Sequence, residues 1–149
     1  MDWSDFYPDA DTLLPDNCPK SLGEAVRITC YVDANHAGNV VTRRGHIGFV
    51  IFINSAPIIW WSKQQNTVET STFGSEYVAL RIATEQIIAL RYKLKMMGIH
   101  VEDPADVLCD NEAVAKNSST PESVLTKEHN AICFHKVREC CAAGIIRVG

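Results

Sequence analysis

The chain has 149 residues, of which 46% are hydrophobic and 21% charged, and this predicts one globular domain with a sizeable core. No apolar run approaches the roughly 20 residues of a membrane-spanning helix, and the acidic N-terminus lacks the features of a signal peptide. We therefore expect no membrane partner. The six cysteines form no Cys-x-x-Cys pair, which favours reduced thiols in a reducing intracellular compartment.

The net charge of −4 is unevenly distributed along the chain. Residues 1–24 contain six acids and one base, whereas the remainder carries 13 bases and 12 acids. The acids and prolines of residues 1–24 predict an extended lead-in, followed by a single domain over residues 25–149. Because that domain is nearly neutral, its charge neither requires nor excludes nucleic acid as a partner.

Three strand-like runs come first in the chain. Arg27–Asp33 is apolar on both faces, which predicts a central strand covered on both sides. Ile47–Ile53 and Pro57–Trp61 follow, and Asn54-Ser55 is suited to the hairpin between them. The three runs predict an antiparallel meander.

A long helix is predicted next, beginning after an N-cap at Thr70 or Ser71 and ending at Gly98. Glu76 lies four residues before the first member of its apolar stripe and therefore occupies the first turn of the buried face. Steps of three and four residues connect the stripe: Leu80, Ala83, Ile87, Leu90, Leu94 and Met97.

The remaining elements complete an α/β pattern. We predict a strand over Ala105–Cys109, a short helix over about Glu112–Asn117, a longer helix from Glu122 or Ser123 to about Ala142, and a last strand over Ile145–Val148. The order predicts a mixed five-stranded sheet, with an antiparallel three-strand meander beside parallel strands and flanking helices.

Three carboxylates are expected to meet in this fold. Asp33 and Asp110 end strand-like runs, and the carboxyl ends of parallel strands share one sheet edge, which Glu76 approaches from the covering helix. Three clustered anions repel each other unless a positive group lies between them. A pair of divalent cations is the usual solution, and it predicts phosphodiester chemistry.

Six motifs occur in order along the chain: Tyr31–Gly38, Thr42–Arg44, Gly48–Val50, Trp61–Gln64, Ser71–Tyr77 and Cys109–Asn111. Together they resemble the ribonuclease H domain of copia-type retrotransposon polyproteins, over about residues 27–149. The resemblance implies a ribonuclease H-like fold that cleaves the RNA strand of an RNA–DNA hybrid with two Mg²⁺ ions, for which Mn²⁺ can substitute. Asp33 would bridge both ions, Asp110 would bind the ion that holds the attacking water, and Glu76 would bind the other.

The same resemblance implies partners and further contacts. The chain would accompany the reverse transcriptase domain of its polyprotein, in a cytoplasmic virus-like particle or in the nucleus. Candidate contacts to phosphate and ribose are Arg43, Arg44, Lys63, Gln64, Asn111 and Asn117, with a merely solvated loop as the alternative for the basic residues.

One position departs from the family. Its fourth metal-site acid aligns with Ala131, for which His135 is a candidate substitute, and His129 is a candidate for assisting product release. Plain helix-surface histidines are the alternative, and a zinc site of His129, Cys133 and His135 matches no structural zinc spacing. Two other functions stay open: a catalytically weakened or inactive remnant that binds nucleic acid or has a structural role, and a strand-transfer nuclease of the same superfold.

Overall fold

The computed structural model describes residues 2–35, 46–64, 72–122 and 131–149. Within these residues five strands form one mixed sheet in the order β3-β2-β1-β4-β5. The β1, β2 and β3 strands are antiparallel neighbours, and β4 and β5 continue the sheet in parallel. The strands are β1 (Leu22–Asn35), β2 (His46–Ile53), β3 (Ala56–Gln64), β4 (Ile99–Cys109) and β5 (Ile146–Val148).

Three α-helices lie in the described residues: α1 (Thr72–Met96), α2 (Glu112–Ser119) and α3 (Ala131–Ala142). The predicted order of elements and the mixed sheet are thus confirmed. The α3 helix ends at Ala142, where predicted. Of its two predicted starting residues, Glu122 lies in a turn and Ser123 is outside the described residues. The predicted cap of α1 also lies outside the described residues.

The core lies between one face of the sheet and the helices. Alternate β1 residues Ile28, Cys30 and Val32 are buried, facing the stripe of α1, where Leu80 and Ile87 are fully buried. The assignment of Met97 to the buried stripe is wrong, because its side chain is 68% exposed. The helix ends at Met96, and Gly98 adopts the left-handed conformation (φ +76°) that turns the chain into β4.

The opposite face of the sheet is open in the described part of the chain, which corrects the expectation that β1 is covered on both sides. Trp60, Tyr31 and Leu108 are 70%, 53% and 38% exposed. The register places Tyr31 beside Leu108 on β4 and beside Val50 on β2, which in turn pairs with Trp60. These side chains form an apolar row across four strands.

The lead-in packs against the helices. Its 3₁₀ turn at Trp3–Asp5 is held by a capping box between Asp2 and Asp5. Thr12 accepts a hydrogen bond from Arg91 Nη1 of α1 at 2.6 Å. Since β1 begins at Leu22, the first strand starts two residues before the predicted boundary, and the division of the chain at residue 24 stays a prediction.

Candidate metal centre

The strand register brings two of the predicted acids together. Val32 of β1 pairs with Cys109 of β4, and the strands are parallel, so the next residue on each, Asp33 and Asp110, lie side by side at the same sheet edge. Asp33 lies inside β1, two residues before the strand ends, rather than at its end. Asp110 directly follows β4, as predicted.

The third acid enters from the helix layer. Glu76 lies one turn before Leu80 on the buried stripe of α1 and is only 2% exposed. One carboxylate oxygen each of Asp33, Glu76 and Asp110 lies within 4.8 Å of the others. The predicted convergence of the three carboxyl groups is therefore confirmed.

The electrostatics of the cluster are dominated by Glu76. Burial, together with the negative charges of Asp110 and Asp33 and a hydrogen bond with Asp110, raises the pKa of Glu76 to about 7. The Ala34 backbone N–H opposes this rise in pKa. The Glu76 Oε2 atom is buried and has no hydrogen-bond partner among the described residues. An unpartnered buried carboxylate oxygen is costly unless a cation approaches it.

The donor set fits a divalent cation. Carboxylate oxygens are the ligands preferred by hard ions such as Mg²⁺, Mn²⁺ and Ca²⁺, and two exposed acids flank the buried one, which leaves access from solvent. Within the described residues, these acids are the group of three or more ligating side chains that is close enough to hold a metal ion. Asp33, Glu76 and Asp110 would hold it.

Comparisons with known proteins relate the chain to transposon polyproteins. The chain is 25% identical over 126 residues to the retrovirus-related Pol polyprotein from transposon RE2 of Arabidopsis thaliana, which covers 85% of the chain and 9% of the relative. It is 28% identical over 109 residues to the corresponding polyprotein from transposon TNT 1-94 of Nicotiana tabacum, covering 73% of the chain and 8% of the relative. The chain thus spans less than a tenth of these relatives, and no family model matches it.

The structural likeness decides the fold. The crystal structure of LC11 ribonuclease H1 in complex with an RNA/DNA hybrid superposes with a TM-score of 0.63 at 21% identity and covers 83% of both chains. The chain has a ribonuclease H fold. With transposon Pol polyproteins as sequence relatives, the predicted resemblance to a ribonuclease H domain of such a polyprotein is confirmed.

The ribonuclease H fold places Lys63 and Gln64 at the same sheet edge as the acids. Asp33, Gly48 and Ser62 form one cross-strand row, and Lys63 and Gln64 follow Ser62 at the carboxyl end of β3. Two strand spacings separate β3 from β1, roughly 10 Å. Arg43 and Arg44 lie outside the described residues, so the phosphate contacts of all four residues stay predictions.

The two asparagines have local roles in α2. Asn111 caps the helix, since its Oδ1 accepts a hydrogen bond from the Val114 N–H at 3.2 Å. Asn117 Nδ2 donates to the Ala113 carbonyl at 2.8 Å, within the same helix. Their contact with ribose stays a prediction.

Of the two predicted histidines, only His135 lies in the described residues, and it is not part of the acid group. His135 is exposed, and its Nδ1 is 2.8 Å from the hydroxyl of Tyr7 in the lead-in. His129 lies outside the described residues, so its role and the zinc alternative that includes it stay predictions. No disulfide links the six cysteines, all of which are described.

Sequence reasoning missed two buried hydroxyl residues that join α1 to α2, Tyr77 and Ser118. The sequence positions of both residues could have indicated this pair. Tyr77 directly follows Glu76 on the buried side of α1, and Ser118 lies four residues after the fully buried Val114. A buried tyrosine hydroxyl usually requires a polar partner, and a serine on the buried face of a helix can supply one.

Proposed function

We propose that the chain is a divalent-metal-dependent endoribonuclease that hydrolyses the RNA strand of RNA–DNA hybrids, as the ribonuclease H domain of a copia-type retrotransposon polyprotein. One observation carries the proposal. Three carboxylates from separate elements converge within 4.8 Å, and the buried Glu76 Oε2 has no hydrogen-bond partner in the described residues. The fold and the transposon relatives support this use of the cluster.

The chemistry is hydrolysis of a phosphodiester. A water oxygen attacks phosphorus, the bond to the 3′ oxygen breaks, and that oxygen leaves with a proton. When bound, two divalent ions, Mg²⁺ in the cell or Mn²⁺ in its place, activate the water and neutralise the charge that develops on the leaving oxygen. Asp33 and Asp110 are exposed at the site, so that their carboxylates can orient water and substrate, whereas Glu76 anchors the cluster from within.

The partners follow from the same proposal. The hybrid would be the product of a reverse transcriptase domain in the same polyprotein, in a reducing intracellular compartment such as a cytoplasmic virus-like particle or the nucleus. Within the described residues, no helix is long and apolar enough to cross a membrane. The complex of LC11 ribonuclease H1 with an RNA/DNA hybrid supports a hybrid as the substrate.

Cleavage of a labelled hybrid tests the proposal. The purified chain is incubated with an RNA–DNA hybrid, and with single-stranded RNA, duplex RNA and duplex DNA of the same sequence, in Mg²⁺, in Mn²⁺ and in EDTA. We expect cleavage of the RNA strand of the hybrid alone, lost in EDTA and in Asp33→Asn. Cleavage that survives EDTA, or a hybrid that stays intact across millimolar Mg²⁺ and Mn²⁺, would contradict the proposal.

A second candidate function is a weakened nuclease that mainly binds nucleic acid. It is favoured by the three-membered acid group of the described residues and by alanine at position 131. Restoring an acid with Ala131→Asp should raise cleavage at low Mg²⁺ if this position limits metal binding. A hybrid bound without cleavage by both the wild type and Ala131→Asp would favour the binding function.

A further inference from the structure

A pair of buried hydroxyl groups lies between α1 and α2. Tyr77 of α1 and Ser118 of α2 are both 0% exposed. The Ser118 hydroxyl donates to Tyr77 Oη at 3.2 Å, and Tyr77 Oη donates to the carbonyl of Val114 at 3.5 Å. The pair therefore joins the two helices through buried hydrogen bonds.

Each end of this connection is one residue from an acid of the site. Tyr77 directly follows Glu76, and the α2 cap, Asn111, directly follows Asp110. The Val114 peptide units join the two ends, since the Val114 N–H bonds to Asn111 and the Val114 carbonyl bonds to Tyr77. A short series of hydrogen bonds, buried at Tyr77 and half-buried at Asn111, thus connects the residue after Glu76 with the residue after Asp110.

The connection opposes a force that the cluster itself generates. When both are ionised, as metal binding requires, Glu76 and Asp110 carry like charges on separate elements, and their repulsion pushes α1 away from the end of β4 and the start of α2. We propose that the Tyr77–Ser118 pair is a positioning device that holds α2 against α1 and so keeps Glu76 and Asp110 at the separation that a divalent cation needs. This inference rests on the metal site of the proposed function.

The test removes the hydroxyl and keeps the ring. In Tyr77→Phe the ring can still pack on Phe134, whose centroid lies 5.7 Å away. We expect Mn²⁺ affinity, measured by calorimetry well below the melting temperature, to fall about three- to ten-fold, less than the loss of a group that bonds a ligand directly. The Mg²⁺ concentration for half-maximal cleavage should rise by a similar factor, with cleavage nearly restored at saturating Mg²⁺.

Ser118→Ala repeats the test with a smaller volume change and should shift Mn²⁺ affinity in the same direction. Ser119→Ala is the matched control, because this neighbouring exposed serine bonds only to carbonyls of its own helix in the described structure and should leave the affinity unchanged. If Tyr77→Phe fails to fold, Ser118→Ala alone decides.

Three results would each count against a different part of the account. A wild type that binds Mn²⁺ while Tyr77→Phe and Ser118→Ala bind it equally well would overturn the positioning role and leave the proposed function intact. A wild type that binds no Mn²⁺ would overturn the metal site itself. If Tyr77→Phe and Ser118→Ala melt at lower temperatures than the wild type but bind Mn²⁺ with unchanged affinity, the pair only stabilises the fold.

Discussion

Two buried charged residues, Glu76 and Arg138, meet opposite surroundings. Both side chains are 2% exposed. Arg138 donates through Nη2 to the carbonyls of Thr120 (3.2 Å) and Pro121. Its guanidinium carbon lies 4.7 to 5.7 Å from three aromatic rings, those of Trp3, Tyr7 and Phe134. The protein thus supplies negative partial charge to its buried cation.

The surroundings of Glu76 are the opposite of those of Arg138. The groups around it include two further carboxylates, and its Oε2 has no hydrogen-bond partner in the described part of the chain. A fold that surrounds a buried cation with carbonyls and rings can equally surround a buried anion with donors. The described residues instead bring three carboxylates together, and we propose that a divalent cation supplies the positive charge. The following predictions test this contrast, beginning with the largest expected effect.

Removing an acid should abolish cleavage without harming the fold. We expect Asp110→Asn to lower hybrid cleavage by roughly 10³-fold, because a ligand for the cation is lost. The metal-free variant should be as stable as the wild type or more so in thermal melts, since one repulsive charge disappears. Asp106→Asn is the control, since Asp106 lies on β4, the strand that Asp110 follows, but pairs with Arg147 Nε at 2.9 Å outside the cluster. A strongly destabilised Asp110→Asn would mark Asp110 as structural.

Replacing Arg138, the buried cation, should instead destabilise the fold. We expect Arg138→Met to lower the free energy of unfolding by about 2–4 kcal/mol, because the carbonyls and rings around it lose their partner. Added Mg²⁺ should leave the difference in free energy of unfolding between Arg138→Met and the wild type unchanged. Urea denaturation measures it. An unchanged midpoint would show that the aromatic surroundings of Arg138 contribute no stability.

The stability of the metal-free protein should depend on pH through Glu76. Its pKa is raised to about 7 in the folded chain, so the folded state holds a proton that the unfolded state releases at lower pH. Stability should therefore fall as pH rises from about 4.5 to 7 and stay level above that range. Glu76→Gln should remove this dependence and be more stable at pH 8 by about 1–3 kcal/mol. If the stabilities of the wild type and Glu76→Gln change in parallel with pH, the raised pKa of Glu76 is contradicted.

The smallest effect is expected at the contact between the lead-in and α3. Tyr7→Phe removes the hydrogen bond to His135 and should cost about 0.5–1.5 kcal/mol of stability. His135→Ala should leave cleavage within about two-fold of the wild type, because His135 lies outside the acid group. A large loss of cleavage in His135→Ala with unchanged melting would instead support the substitution of His135 for the missing acid.

Much of the site could be read from the sequence, because its signals are local. Glu76 fell on a regular apolar stripe, and Asp33 and Asp110 followed apolar strand runs. The surroundings of Arg138 could not be predicted, since its carbonyl and ring partners come from three separate segments. Met97 was misassigned because its spacing continues the stripe one residue beyond Met96, where the helix ends. The exposure of Tyr31 and Trp60 escaped prediction because an apolar strand does not reveal which face is covered.

Calorimetric titration of Mn²⁺ in two buffers of different ionisation enthalpy, at pH 6.5, tests most directly whether the acid cluster is built for an external cation. Binding should displace the proton that Glu76 retains near pH 7, and the buffer dependence of the heat reports that release. We predict release of a substantial fraction of one proton by the wild type and none by Glu76→Gln, which should also bind more weakly. Equal affinity and equal proton release in the two proteins would contradict the assignment of Glu76 to the metal centre.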